Sequence, residues 1–144
     1  DENSTFPIFN SLKGKVEIDL KDIKSINSVG IRAWIKWFSS FQGVNFVFLN
    51  CPKSIVMQMN MVEGFLPDHS SIESINVPFY CEDCDKEIEV LFSVGNEIIV
   101  EDGKVQLHYD KNSVCPKGCD PELDVNESKY FKFLLKSKAN VKAA

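Results

Sequence analysis

In Lys15 to Phe38, KVEIDLKDIKSINSVGIRAWIKWF, the hydrophobic period changes once, from two to about 3.6 residues, as it does where a strand gives way to a helix. In KVEIDL, Val16, Ile18 and Leu20 alternate with Lys15, Glu17 and Asp19, which predicts a strand with one face in a core. After a short polar connection, Ile31, Trp34, Ile35, Phe38 and Phe41 recur at three- and four-residue steps, with Arg32, Lys36, Ser39 and Ser40 on the opposite side. That pattern predicts an amphipathic helix. Asn27 or Ser28 can accept a hydrogen bond from a first-turn N–H, and Gly43 suits the end.

The flanking segments extend the alternation of strand and helix. Asn45 to Leu49, NFVFL, is a short apolar run between Gly43 and Pro52, the signature of a central strand covered on both faces. A second helix is expected from Lys53 or Ser54, with Ile55, Met59, Val62 and Leu66 in one stripe and Pro67 preventing much continuation. Ile72 to Val77 offers a further strand. The order strand, helix, strand, helix, strand implies an α/β fold with a largely parallel sheet and right-handed crossovers. From Glu87 onward the pattern changes to the short strands EVLF, EIIV and KVQLHY, the last two joined by Asp102-Gly103, a tight hairpin turn. Glu127 to Ser137 predicts a third helix with Tyr130, Phe131, Leu134 and Leu135 on one face. The expected organisation is an α/β domain over 1–80, a small antiparallel β unit over 81–126, and a C-terminal helix and tail over 127–144. The boundary is drawn at Phe79 to Cys81, where the parallel pattern is expected to end.

Of the 144 residues, 44% are hydrophobic and 11% aromatic, enough to bury a core, and the longest apolar runs fall far short of a membrane span. The net charge of −5 is unevenly placed. Residues 1–80 carry seven Lys/Arg against eight Asp/Glu, residues 81–126 four against twelve, and residues 127–144 five against one, giving −1, −8 and +4. Affinity for nucleic acid rests largely on neutralising phosphates, so a segment at −8 is expected to be repelled by a duplex. The lysines after Ser128 (Lys129, Lys132, Lys136, Lys138 and Lys142) read as a solvated helix face.

Four of the five cysteines form two close pairs, Cys81-Glu-Asp-Cys84 and Cys115-Pro-Lys-Gly-Cys119. Two tight turns that each present two thiolates supply the four tetrahedral ligands of a structural Zn2+, with the intervening strands expected to form a ribbon that brings the turns together. A pair of disulfides is the competing reading, but an odd fifth thiol, Cys51, is awkward in an oxidising compartment, whereas a buried free cysteine after an apolar strand is ordinary. A redox dithiol at Cys81 and Cys84 would need a depressed thiol pKa, and Glu82, Asp83 and Asp85 would raise it. The cysteine usage thus favours a reducing, cytoplasmic location. A closed four-thiolate site has no open position for water, so its expected role is folding.

The stretch EIDLKDIKSINSVGIRAWIKWF resembles the strand, loop and first helix of STAS domains, the family of anti-sigma-factor antagonists and of the cytoplasmic tails of sulfate transporters. In that family a strand ending in an acidic residue leads to an Asp-Ser-Ser/Thr-Gly turn that opens a helix. The corresponding residues are Asn27-Ser28-Val29-Gly30, and the FVFLN strand and the helix from Ser54 also fall where the family places them. The resemblance covers about residues 13 to 78 and leaves the cysteine unit unaccounted for. Val29 stands where the bacterial antagonists carry the phosphorylated hydroxyl, so the usual switch is missing there, and Asn27 replaces the acidic residue. Ser28 does carry a hydroxyl, either a helix cap or a phosphate acceptor.

The resemblance implies a non-enzymatic module that binds another protein through Asn27, Ser28, Val29, Gly30 and the first helix. Trp37, at the margin of the apolar stripe, and Met57 and Met61, opposite the buried side of the second helix, are expected to extend that surface, since Trp and Met are favoured in interfaces. His69 and His108 lie far apart, and the sequence holds no phosphate-cradling glycine loop, nucleophile elbow or paired carboxylates in an evident cleft. Two other classes remain: a zinc-ribbon factor associated with nucleic acid or transcription, and a thiol-disulfide oxidoreductase.

Overall fold

The computed structural model describes residues 14–136, and its elements follow the chain in mixed α/β order. Strand β1 (Gly14–Asp19) leads through a polar loop to α1 (Ser28–Ser39), β2 (Val44–Leu49), α2 (Lys53–Met61) and β3 (Ser70–Ile72). The parallel register Val16↔Phe46, Ile18↔Phe48 and Phe48↔Ile72 gives the sheet order β1-β2-β3. The alternation read in KVEIDL is present, with Ile18 and Leu20 buried, Val16 half-buried and Lys15, Glu17 and Asp19 exposed, and β2 is buried at Val44, Phe46, Val47 and Phe48. Helix α1 presses Trp34 and Phe38 onto that sheet. The Trp34 ring stacks on Phe65 at 4.4 Å between centroids, and its indole N–H donates to the Phe65 carbonyl at 2.7 Å, so a buried polar atom is satisfied where the ring packs.

The expected strand Ile72–Val77 is divided at Glu73. The parallel ladder of β2 and β3 ends at Ile72, with one isolated parallel bridge beyond it at Cys51↔Ile75, ahead of the expected Phe79–Cys81 boundary, and β4 (Ser74–Cys81) runs across that boundary as one strand. It pairs antiparallel with β5 (Lys86–Ser93), and a two-residue strand, β8 (Glu122–Leu123), pairs on its other side, giving the order β5-β4-β8. The two sheets meet where Cys51 N–H donates to the Ser74 carbonyl (3.0 Å) and accepts at its own carbonyl from Asn76 N–H (2.9 Å). Between β5 and β8 lie the hairpin β6 (Ile98–Glu101) and β7 (Lys104–Leu107) and the single turn α3 (Lys111–Val114). The hairpin turns on Asp102 (φ 52°) and Gly103 (φ 72°), the two left-handed residues that a two-residue type I′ turn requires.

Two helices differ from their sequence reading. Helix α2 ends at Met61 rather than near Leu66, because Val62 is extended and Gly64 takes φ +85°, which turns Phe65 back under Trp34. The C-terminal helix is broken at Phe131 into α4 (Glu127–Tyr130) and α5 (Lys132–Lys136). The break shifts the helical phase: Tyr130, Phe131, Phe133 and Leu134 are buried and Leu135 is exposed. Ser137, Lys138 and Lys142 lie outside the described residues. The Asn60 side chain holds the break, accepting from Phe133 N–H (2.8 Å) and donating to the Tyr130 carbonyl (2.9 Å), while the Tyr130 hydroxyl donates to the Asn76 carbonyl (2.7 Å). One buried cluster therefore extends from Ile18 and Trp34 through Ile55, Val77 and Phe79 to Ile98, Phe131 and Leu134. Among the described residues no helix is long and apolar enough to cross a membrane.

Candidate metal centre

Cys81 is the last residue of β4 and faces Lys86 at the start of β5, so Glu82 to Asp85, with Cys84 among them, form the connection of that hairpin. The connection closes with Asp85 in the left-handed region at φ 51°, a conformation that Asp tolerates better than most side chains. Its Asp85 N–H donates back to the Glu82 carbonyl at 3.2 Å. The Tyr80 hydroxyl donates to the Asp85 carboxylate, fixing the far side of the turn, and this bond together with nearby acidic groups holds the phenol above its ordinary pKa.

The second pair is positioned differently. Asp110 caps α3 by accepting from Asn112 N–H at 3.0 Å, and Cys115 closes the turn by donating its N–H to the Lys111 carbonyl at 3.0 Å. Gly118, at φ +81°, reverses the chain before Cys119. The pairs Tyr80↔Glu122 and Phe79↔Leu123 then hold the segment after Cys119 beside the end of β4. Thus the sheet β5-β4-β8 brings the two turns together; of the three intervening strands expected to form the ribbon only β5 belongs to it, and β6 and β7 pair with each other in a separate two-stranded sheet. Phe79 packs edge to face against Phe92 (5.9 Å between ring centroids) and Tyr109 (5.2 Å), while Phe92 and Tyr109 are tilted against each other at 5.4 Å.

The result is a cluster in which the four sulfurs of Cys81, Cys84, Cys115 and Cys119 lie within 4.8 Å of one another. Cys84 Sγ is 3.8 Å from Cys115 Sγ and 3.5 Å from Cys119 Sγ. Four thiolates at about 2.3 Å from a tetrahedral zinc have their sulfurs about 3.8 Å apart, so the observed spacings fit such an ion with small adjustment. Cys81 and Cys115 are buried, Cys84 and Cys119 half-buried, and all four are free thiols. The cluster can hold a metal ion.

The Lys117 backbone N–H donates to the Cys115 sulfur and, with the neighbouring thiols, holds Cys115 below the ordinary thiol value against the effect of burial. Cys119 is pushed well up by hydrogen bonds with Cys81 and then Cys84. At Cys84 the bond with Cys119 acts to lower the value, and those with Cys81 and Cys115 outweigh it. Thiols in such contact share protons unless a cation displaces them.

The other candidate residues lie elsewhere. Asn27 is the N-cap of α1, its Oδ1 accepting from Gly30 N–H at 2.8 Å, which leaves Ser28 at the first helical position and exposed. Val29 is 45% exposed and Gly30 is buried. Met57 and Met61 are exposed on α2, whereas Trp37 is half-buried among Phe38, Phe41 and Phe46. His69 lines a hollow of about 460 Å³ between the end of α1 and the start of β2, and His108 is exposed after β7. Cys51 is fully buried, and desolvation raises its thiol pKa far above the ordinary value, leaving it inert.

A polar junction that sequence reading did not single out lies at the carboxyl ends of β1 and β2. Asn50, at φ 55°, donates its side-chain N–H to Asp19 (3.0 Å) and its backbone N–H to the Ser74 hydroxyl (2.7 Å). The Asn50 hydrogen bond, followed by that from Lys21 N–H, lowers the Asp19 pKa. The only hint in the sequence is an acidic residue closing a strand. The chain matches no protein-family model, no curated protein and no solved structure.

Proposed function

We propose that this chain is a non-enzymatic protein-interaction module, STAS-like in its first half, whose second half is a zinc-ribbon-like unit held by one structural Zn2+ on Cys81, Cys84, Cys115 and Cys119. The observation that carries the reading is the mutual 4.8 Å proximity of those sulfurs, with the local spacings of 3.5 and 3.8 Å. A tetrathiolate site is coordinatively closed, so the zinc would supply folding energy, about 10 to 16 kcal/mol in apparent terms for small domains, and no reactive water. The proposed partner surface is the exposed turn at Asn27, Ser28 and Val29, with Met57 and Met61 on α2. The capping of Gly30 N–H by Asn27 supports it, since the cap fixes the turn's shape without needing a phosphate.

The test compares the proteins captured from extracts of the source cells by wild type and by Val29→Asp and Met61→Asp. These positions are exposed, so the variants are expected to fold. Loss of the same dominant protein in both supports the surface, and identical recovery rejects it. The oxidoreductase reading predicts insulin reduction that disappears in Cys81→Ser. The nucleic-acid reading predicts a salt-dependent mobility shift, against which stands the −8 charge of residues 81–126.

A further inference from the structure

Strand β5 is at the edge of its sheet, and the register decides which of its backbone groups are open. Val94 N–H donates to the Glu73 carbonyl at 2.8 Å, and the pairing continues as Ile75↔Phe92, Val77↔Val90, Phe79↔Ile88 and Cys81↔Lys86. In an antiparallel ladder alternate residues exchange both hydrogen bonds with the neighbour. Lys86, Ile88, Val90 and Phe92 therefore turn their N–H and C=O groups toward β4, and Glu87, Glu89, Leu91 and Ser93 turn theirs away. The other side of β4 obeys the same parity: the Pro78 carbonyl accepts from Asp124 N–H of the β8 segment at 3.0 Å. Ser93 N–H is already taken, by the Glu97 carboxylate at 2.9 Å. Among the described residues the open edge is thus Glu87 to Leu91, and all three outward-facing residues there are exposed, Leu91 to 46%.

The side chains say what can pair with this edge. Glu87, Glu89 and Leu91 share one face, while Ile88 and Val90 lie half-buried on the other. A second copy pairing antiparallel about Glu89 would set Glu89 opposite itself, and like charges directly opposite are destabilising. An extended segment with Lys or Arg opposite Glu87 and Glu89 gains from the same charges, and β-branched residues between them would cover Ile88 and Val90. The surrounding segment at −8 adds long-range attraction for such a strand. We infer that β5 receives an extended partner segment of alternating basic and β-branched residues, which joins the sheet β5-β4-β8 as a fourth strand at Glu87 to Leu91. This surface is separate from the turn at Asn27 to Gly30, and the two can fail independently.

The probe is a short synthetic peptide alternating Lys and Val, added to the full chain in its zinc-loaded form. Its controls are the same peptide with Glu for Lys and with a central Pro, which removes strand hydrogen bonding. Fluorescence anisotropy reads binding, and amide hydrogen exchange reads its place. Saturation with the Lys/Val peptide is expected to slow exchange at Glu87, Glu89 and Leu91 by about tenfold or more, with little change at Ile88 and Val90, which already bond to β4. In Glu87→Lys/Glu89→Lys, whose changes are at exposed positions, affinity is expected to fall about tenfold from two lost cross-strand charge pairs. The inference is overturned if the Pro or Glu peptide binds as well as the Lys/Val peptide, if no peptide binds, if protection falls elsewhere, or if β5 becomes protected through a concentration-dependent dimer.

Discussion

Asn60 ties the C-terminal helices to α2, alongside the Tyr130 hydroxyl bonded to the Asn76 carbonyl, and Asn60→Ala tests that tie. The side-chain amide satisfies two backbone groups exposed by the break at Phe131: the Phe133 N–H at the start of α5 and the Tyr130 carbonyl at the end of α4. Neither helix can satisfy these ends internally. A buried backbone group left without a partner costs about 1 to 3 kcal/mol. Asn60 is half-buried, so water reaches the site in part and the low end applies, about 2 kcal/mol for the two groups together. Urea unfolding should show the midpoint falling with the slope unchanged, because the exposed area on unfolding is the same. Phe133 N–H exchange should rise more than that of Val77 in β4. A loss below about 0.5 kcal/mol, ordinary for a surface change, with Phe133 still protected, would refute the clamp.

Asn27→Ala removes the oxygen that accepts from Gly30 N–H and is expected to cost about 1 kcal/mol in thermal or urea unfolding, with Asn27→Asp retaining most of it. Cys51→Ala, at a fully buried site between the two sheets, should lower stability by about 1 kcal/mol yet leave metal content unchanged, measured by elemental analysis. Gly103→Ala places a Cβ at φ 72° and should cost about 1 kcal/mol and broaden the amide signals of β6 and β7.

The parts of this fold legible in the sequence are those written in local pattern. The period change between Leu20 and Ile31 gives β1 and α1, Asp102-Gly103 gives the β6–β7 turn, and the two cysteine pairs give the cluster. What escapes is decided by distant partners. Ile72 to Val77 reads as one apolar run, and only the Phe48 carbonyl accepting from Glu73 N–H, with Cys51 bonded at Ser74 and Asn76, divides it between two sheets. The kink at Phe131, which places Phe133 inside and Leu135 outside, depends on Asn60, 70 residues from Tyr130. At the cluster, the four cysteines are visible in the sequence but the closure is not. Strand β8 has two residues, too short for any period, and it is this strand that sets Cys119 beside β4.

The most direct measurement is X-ray absorption at the zinc edge, together with metal quantitation, on protein purified without added metal. One zinc per chain, surrounded by four sulfurs at about 2.3 Å, is the predicted result, with Cys119→Ser losing both the fourth sulfur and most of the metal. Metal-free protein that is folded and stable, or a zinc held by fewer sulfurs with oxygen or nitrogen in their place, would contradict it.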